Sequence, residues 1–140
     1  MVHMTPLYST SAHASGDGRN GHVQSDDGFV DADVRMPPEL GGGGGATNPE
    51  QLFAAGYAAC FHSALRLVAG QAGVDTTDSA VSATVHIGPD GAGFGLGVEL
   101  DVSLPNVDRN AAQHVAEQAH EVCPYSNATR GNIDVTVTVV

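Results

Sequence analysis

Leu52, Phe53, Gly56, Ala59, Cys60, Ser63, Ala64, Leu67 and Val68 recur at three- and four-residue spacing, the period of an amphipathic α-helix with one apolar face. The start of that helix is marked as well. Asn48 is a good N-cap, Pro49 suits a first position that needs no N–H, Glu50 falls in the first turn, and Gln51 stands where a capping box closes. The helix is therefore predicted to begin at Asn48, with Cys60 packed and shielded in its buried stripe. Further on the period changes to two. Val81, Ala83, Val85 and Ile87 alternate with Ser82, Thr84 and His86, and Leu96, Val98, Leu100, Val102 and Leu104 alternate with Gly97, Glu99, Asp101 and Ser103. Both runs read as half-buried strands. The intervening residues 89–93, Pro-Asp-Gly-Ala-Gly, carry turn chemistry and predict a hairpin.

Asp108 is placed to cap a second helix with Ala111, Val115, Ala119 and Val122 on one face, ended by Cys123 and Pro124. Ile133, Val135, Val137 and Val139 predict a last strand. In the N-terminal third, residues 4–13 read as an extended segment, 15–21 as turn-rich, and 22–25 and 29–35 as short strands. Residues 36–48 hold Pro37, Pro38 and the glycine run 41–45, and predict a flexible surface loop too short to link domains. Strands clustered before and after two helices give an α+β domain.

Length changes this picture little: 140 residues make one domain, 1–140, able to bury roughly two thirds of its extended surface. The N-terminus has neither a basic start nor an apolar core, and the apolar run 53–61 is short for a bilayer span, which together predict a soluble, cytoplasmic protein. Charge excludes more. A net charge of −11, with five arginines and no lysine, leaves no means of attracting nucleic acid or an anionic membrane. It also disfavours a thiolate, although screening over roughly 8 Å limits distant charges. A reactive cysteine here needs a cation close by.

The chain has two cysteines, Cys60 and Cys123, which permit a thiol peroxidase, a structural disulfide or two unrelated buried thiols. A lone cysteine on an apolar helix face is ordinarily a small core hydrophobe. In a reducing compartment, however, cysteines are more often catalytic, sensing or metal-bound than structural. Metal ligation has little support, because His3, His13, His22, His62, His86, His114 and His120 form no HExxH and the cysteines no CxxC. His62 points about 200° around the helix from Cys60, a poor position for a base. His120, one turn before Cys123, is placed to help that thiol's proton transfers but reads first as an exposed helix-terminal histidine. The glycine run lacks the lysine of a phosphate loop.

Residues 47–65, TNPEQLFAAGYAACFHSAL, and 122–132, VCPYSNATRGN, closely resemble the organic hydroperoxide resistance (Ohr) proteins of the Ohr/OsmC superfamily. The likeness extends to the Gly-rich GDGRNG around Arg19 and the ELGGGG approach to the helix, and so over almost the whole chain. It implies antiparallel sheets packed around a long central helix, in an interleaved homodimer with active sites at the subunit interface. It implies thiol-dependent reduction of organic hydroperoxides, with Cys60 as nucleophile passing through a sulfenic acid and Cys123 as the resolving thiol that forms a disulfide with it. It implies no bound cofactor, and an external dithiol reductant such as the dihydrolipoyl group of a lipoylated protein.

Arg19 is the candidate cation: at about 4 Å and an effective dielectric near 20, one positive charge is worth roughly 4 kcal/mol, or up to about three in thiol pKa. Glu50 resembles the family's carboxylate that orients this arginine, and it also suits the positive end of the helix dipole. Ten residues at 1.5 Å rise put Glu50 about 15 Å from Cys60 along a straight helix. Either the helix breaks near Gly56 or the carboxylate in each pocket comes from a second copy of the chain. Phe53, Phe61, Phe94, Met36 and Tyr125 are candidates for an apolar channel favouring alkyl or fatty acid hydroperoxides. The alternatives are a general OsmC-type peroxidase and, from another class, a noncatalytic thiol redox sensor or binding module.

Overall fold

A computed structural model describes residues 4–140 and divides them between two compact units, one up to Pro49 and one from Glu50 onward. His3, one of the weighed histidines, lies outside the described residues.

The first unit is an antiparallel sheet of β1 (Ala12–Asp17), β2 (Asn20–Ser25) and β3 (Asp31–Asp33), in that order. The turn-rich stretch is thus mostly strand. Asp17 pairs with Asn20, which leaves Gly18 and Arg19 as a two-residue hairpin turn with Gly18 at φ 65°, a value a glycine takes without strain. Residues 36–48, read from composition as a flexible surface loop, make specific backbone contacts. Val34 bridges to Thr47, the Arg35 N–H donates to the Thr47 carbonyl at 2.8 Å, and the Gly44 N–H donates to the Met36 carbonyl at 3.0 Å. A Cβ on Gly42 would lie 2.1 Å from the Met36 carbonyl oxygen, so glycine there permits a close backbone approach.

The second unit carries the core. Its first helix, α1 (Pro49–Ala72), starts where the capping residues predict and runs unbroken for 24 residues. By length and composition it is the one helix among the described residues that is long and apolar enough to cross a membrane, which the run 53–61 did not reveal. Its buried residues are Tyr57, Phe61, Ala64, Leu65, Val68 and Ala69, a stripe turned away from the predicted one. Leu52 and Leu67 are exposed, and Cys60 sits half-buried at the border of the stripe, not inside it.

Strands β4 (Ala80–Asp90) and β5 (Gly93–Ser103) form the predicted hairpin, paired from Ala80 with Ser103 to Asp90 with Gly93. Strand β6 (Val135–Val139) runs parallel to β5, so this sheet is mixed and departs from the antiparallel expectation. The connection between β5 and β6 contains α2 (Arg109–Val122) and α3 (Pro124–Thr129), and a helical crossover returns the chain to the same end of the sheet. One sheet face, with Val98, Leu100, Val102 and Val139, packs with the α1 stripe and with Ala112, Val115, Ala116 and Ala119 of α2. Val122, assigned to the buried face by periodicity, is exposed. Asp108 caps α2 as predicted, accepting the Ala111 N–H at 2.9 Å.

Candidate active site

Cys123 lies at the corner between α2 and α3, as the C-cap of one helix and the N-cap of the next. The fixed φ and missing N–H of Pro124 suit the first position of α3, a helix the sequence pattern did not reveal. This corner buries Cys123 completely, at 0% exposure, against α1. Its Sγ stands 3.4 Å from the Sγ of Cys60, oriented to donate its hydrogen to it. Both cysteines are free thiols. A disulfide has S–S near 2.05 Å, so closing this pair takes an approach of about 1.4 Å. One thiol reaches solvent and the other does not.

The Cys60 thiol is pushed above its ordinary range, first by burial; the Tyr125 backbone N–H bonded to its sulfur pulls the other way, and Cys123 adds to the rise. Tyr125 belongs to a ring cluster on this side of the unit. It stacks on Phe53 at 6.1 Å and meets Tyr57 at 5.6 Å, while Phe53 and Tyr57 are 5.8 Å apart. Of the proposed channel residues in this unit, Phe53 and Tyr125 thus stand together, and Tyr125 reaches the Cys60 sulfur through its backbone N–H. Phe61 is core, fully buried and against the ring of His120, and Phe94 is 72% exposed near the β4–β5 turn. Met36 belongs to the first unit.

Behind the two sulfurs lies a polar cluster that sequence reasoning missed. The Tyr57 hydroxyl is 2.8 Å from Ser126 Oγ and 3.1 Å from Thr129 Oγ1, and His120 Nδ1 is 2.7 Å from Ser126 Oγ. Tyr57 and Ser126 are fully buried. His120 is thus a partly buried network member, not the exposed terminal residue predicted, and burial followed by the charge of Arg130 holds it below the usual imidazole range. The available signal was that Tyr57 precedes Cys60 by one helical turn, while His120 and Ser126 flank Cys123 at the same spacing.

Glu50 occupies the first turn of α1. Because the helix does not break at Gly56, the same-chain Glu50 remains about 15 Å from Cys60 along the axis. Arg19 occupies the β1–β2 turn of the first unit. No group of three or more His, Cys, Asp or Glu side chains among the described residues is arranged to hold a metal ion. His62 is bonded to Ser79 at 2.9 Å, and His86 to Glu99 at 2.8 Å.

A long helix beside a three-stranded sheet, with two thiols in contact at a helix corner, places the chain in a recognisable class: the model of the OsmC-like protein family matches residues 41–138. Within that class the similarity is specific. The chain is 50% identical over 135 residues to an organic hydroperoxide resistance protein of Xanthomonas axonopodis pv. citri, covering 95% of this chain and 94% of the relative. It is 48% identical over 131 residues to the organic hydroperoxide resistance protein OhrB of Bacillus subtilis, covering 92% and 95%. The crystal structure of an organic hydroperoxide resistance protein from Elizabethkingia anophelis superposes with a TM-score of 0.91 at 54% identity, over 97% of this chain and 98% of that one. The chain belongs to the OsmC-like family, in its organic hydroperoxide resistance (Ohr) branch.

Proposed function

We propose that this chain is a thiol-dependent peroxidase that reduces alkyl or fatty acid hydroperoxides to alcohols, in defence against oxidative stress. The observation that carries the reading is the contact of an accessible sulfur, Cys60, with a buried one, Cys123, at 3.4 Å. The Cys60 thiolate attacks the outer oxygen of the hydroperoxide; the O–O bond breaks, the alkoxide leaves and takes a proton as the alcohol, and Cys60 becomes a sulfenic acid. The Cys123 sulfur then displaces hydroxide from the Cys60 sulfur, and with the thiol proton water leaves and a disulfide remains. An external dithiol, of the dihydrolipoyl class, reopens it by exchange and is itself oxidised.

In this reading Arg19 is the cation that keeps Cys60 anionic, against the burial that pushes its thiol up. Glu50 orients that arginine. The unbroken α1 supports a homodimer in which the Glu50 serving each pocket comes from the other copy. In the same reading residues 1–140 form one domain of a cytoplasmic protein that works without a bound cofactor, as the resemblance to the Ohr proteins implies. Phe53 and Tyr125 offer an apolar wall for the substrate's carbon chain.

Stopped-flow oxidation with tert-butyl, cumene and hydrogen peroxides tests the reading, comparing wild type with Cys60→Ser and Cys123→Ser. Expected are faster reaction with the organic peroxides, none in Cys60→Ser, and a single turnover ending in sulfenic or overoxidised Cys60 in Cys123→Ser. Equal sluggishness of the wild type with all three would instead favour a sensor or binding module.

A further inference from the structure

The polar cluster behind the sulfurs has a unique arrangement of hydrogens. Thr129 Oγ1 lies 3.2 Å from the Ser126 carbonyl oxygen, and there only the threonine can donate. Its single hydrogen is then spent, so the Tyr57 hydroxyl donates to Thr129 Oγ1. Tyr57 in turn accepts from Ser126 Oγ, and Ser126 accepts from His120 Nδ1. All four contacts are satisfied only by this one-way chain, His120 to Ser126 to Tyr57 to Thr129 to the Ser126 backbone. It makes His120 an Nδ1–H imidazole. Burial and then Arg130 favour the neutral ring, and Arg130 also donates to the His120 carbonyl at 2.6 Å, tying down the end of α2.

The chain touches each sulfur-bearing segment one turn from its cysteine: Tyr57 before Cys60 on α1, His120 before Cys123 on α2, and Ser126 after Cys123 on α3. Apolar packing alone is non-directional and lets a helix corner settle over a range of positions. Buried hydroxyls with directed donors do not, since each leaves a desolvated polar atom if the corner shifts.

We infer that His120, Ser126 and Tyr57 are positioning residues for the second chemical step: their hydrogen-bond chain holds the α2–α3 corner so that Cys123 Sγ faces the oxidised Cys60 sulfur, and they contribute nothing to attack on the peroxide. This rests on the peroxidase reading above. The inference separates two rates that a merely structural role would lower together.

The experiment is single-turnover oxidation of the reduced full-length chain by cumene hydroperoxide, with peroxide loss followed directly and the disulfide and sulfenic acid followed by quenched mass spectrometry with dimedone trapping. Tyr57→Phe and Ser126→Ala are expected to consume peroxide within about twofold of wild type, while disulfide closure slows by about tenfold or more and dimedone-trapped Cys60 accumulates. His120→Asn, which keeps an N–H donor near the Nδ1 position, retains wild-type closure, whereas His120→Leu behaves like Ser126→Ala. Tyr57→Phe is close to isosteric, and its thermal midpoint checks that the fold persists. Unchanged closure in Tyr57→Phe and Ser126→Ala, or an equal fall of both rates, overturns the inference. A wild-type protein that forms neither sulfenic acid nor disulfide would sink the peroxidase reading itself, which is a separate outcome.

Discussion

Gly56 lies directly beneath the ring of Tyr125: a Cβ at position 56 would stand 3.0 Å from the phenol oxygen and 3.3 Å from Cε2. The absent side chain is what lets Tyr125 lie on α1 one turn from Cys60, with its backbone N–H on that sulfur. Tyr125 is 38% exposed, so its ring has room to yield a few tenths of an ångström. Replacing Gly56 by Ala gains about 1 kcal/mol of helix propensity and loses a similar amount to crowding, so urea unfolding is expected to be almost unchanged. Gly56→Val, larger and β-branched, is expected to cost about 1–3 kcal/mol and to alter tyrosine fluorescence.

Removal of Arg19 bears on the thiol directly. The surroundings of Cys60 within the second unit raise its pKa, chiefly through burial. If Arg19 supplies the compensating charge, the pH profile of Cys60 alkylation by iodoacetamide in Arg19→Ala moves to higher pH than in wild type, with peroxide reduction at pH 7 falling at least about tenfold. Superimposable profiles would remove Arg19 from the mechanism.

The Asp108 side chain caps the start of α2, accepting the Ala111 N–H at 2.9 Å. Asp108→Ala is expected to destabilise the chain by about 1 kcal/mol in denaturant unfolding, and Asp108→Ser to recover most of it.

His22 is held between Asp33, at 2.8 Å from Nδ1, and Asp31, at 2.5 Å from Nε2, and these bonds raise its pKa above 6.5. The folded state therefore favours the charged ring. Its contribution to stability is fully present below pH 6.5 and is lost as pH rises through the higher folded value. An NMR titration should place His22 above 6.5, and His22→Gln should flatten unfolding stability between that pH and the folded midpoint. The ring is exposed to solvent, so the slope is expected to shrink as salt is added.

Element types were largely legible because they rest on local signals: the Asn48–Pro49 start of α1, the Asp108 cap and the two-residue alternation of β4 and β5 all stand as read. The predicted faces of α1 and α2 were turned, because alanines around both helices, joined in α1 by Gly56 and Gly70, blur the apolar stripe that periodicity depends on. Strand β6 was found but its direction was not, since direction follows from where the α2–α3 crossover leaves the chain. Helix α3 was hidden by Pro124, which stops one helix and starts the next with the same fixed φ.

For the site, the sequence by itself determined which residue types were available, two cysteines and few cations, and through its two long motifs the family. Only the tertiary structure decided that Cys60 and Cys123 are 3.4 Å apart, that one is open to solvent and the other sealed, and that Tyr57, Ser126, Thr129 and His120 share one hydrogen-bond chain. The physical reason is range. Caps, turns and periodicity act within a few residues, whereas the approach of positions 60 and 123 depends on how a whole helix corner packs against α1, a sum of many contacts that no short window of sequence contains.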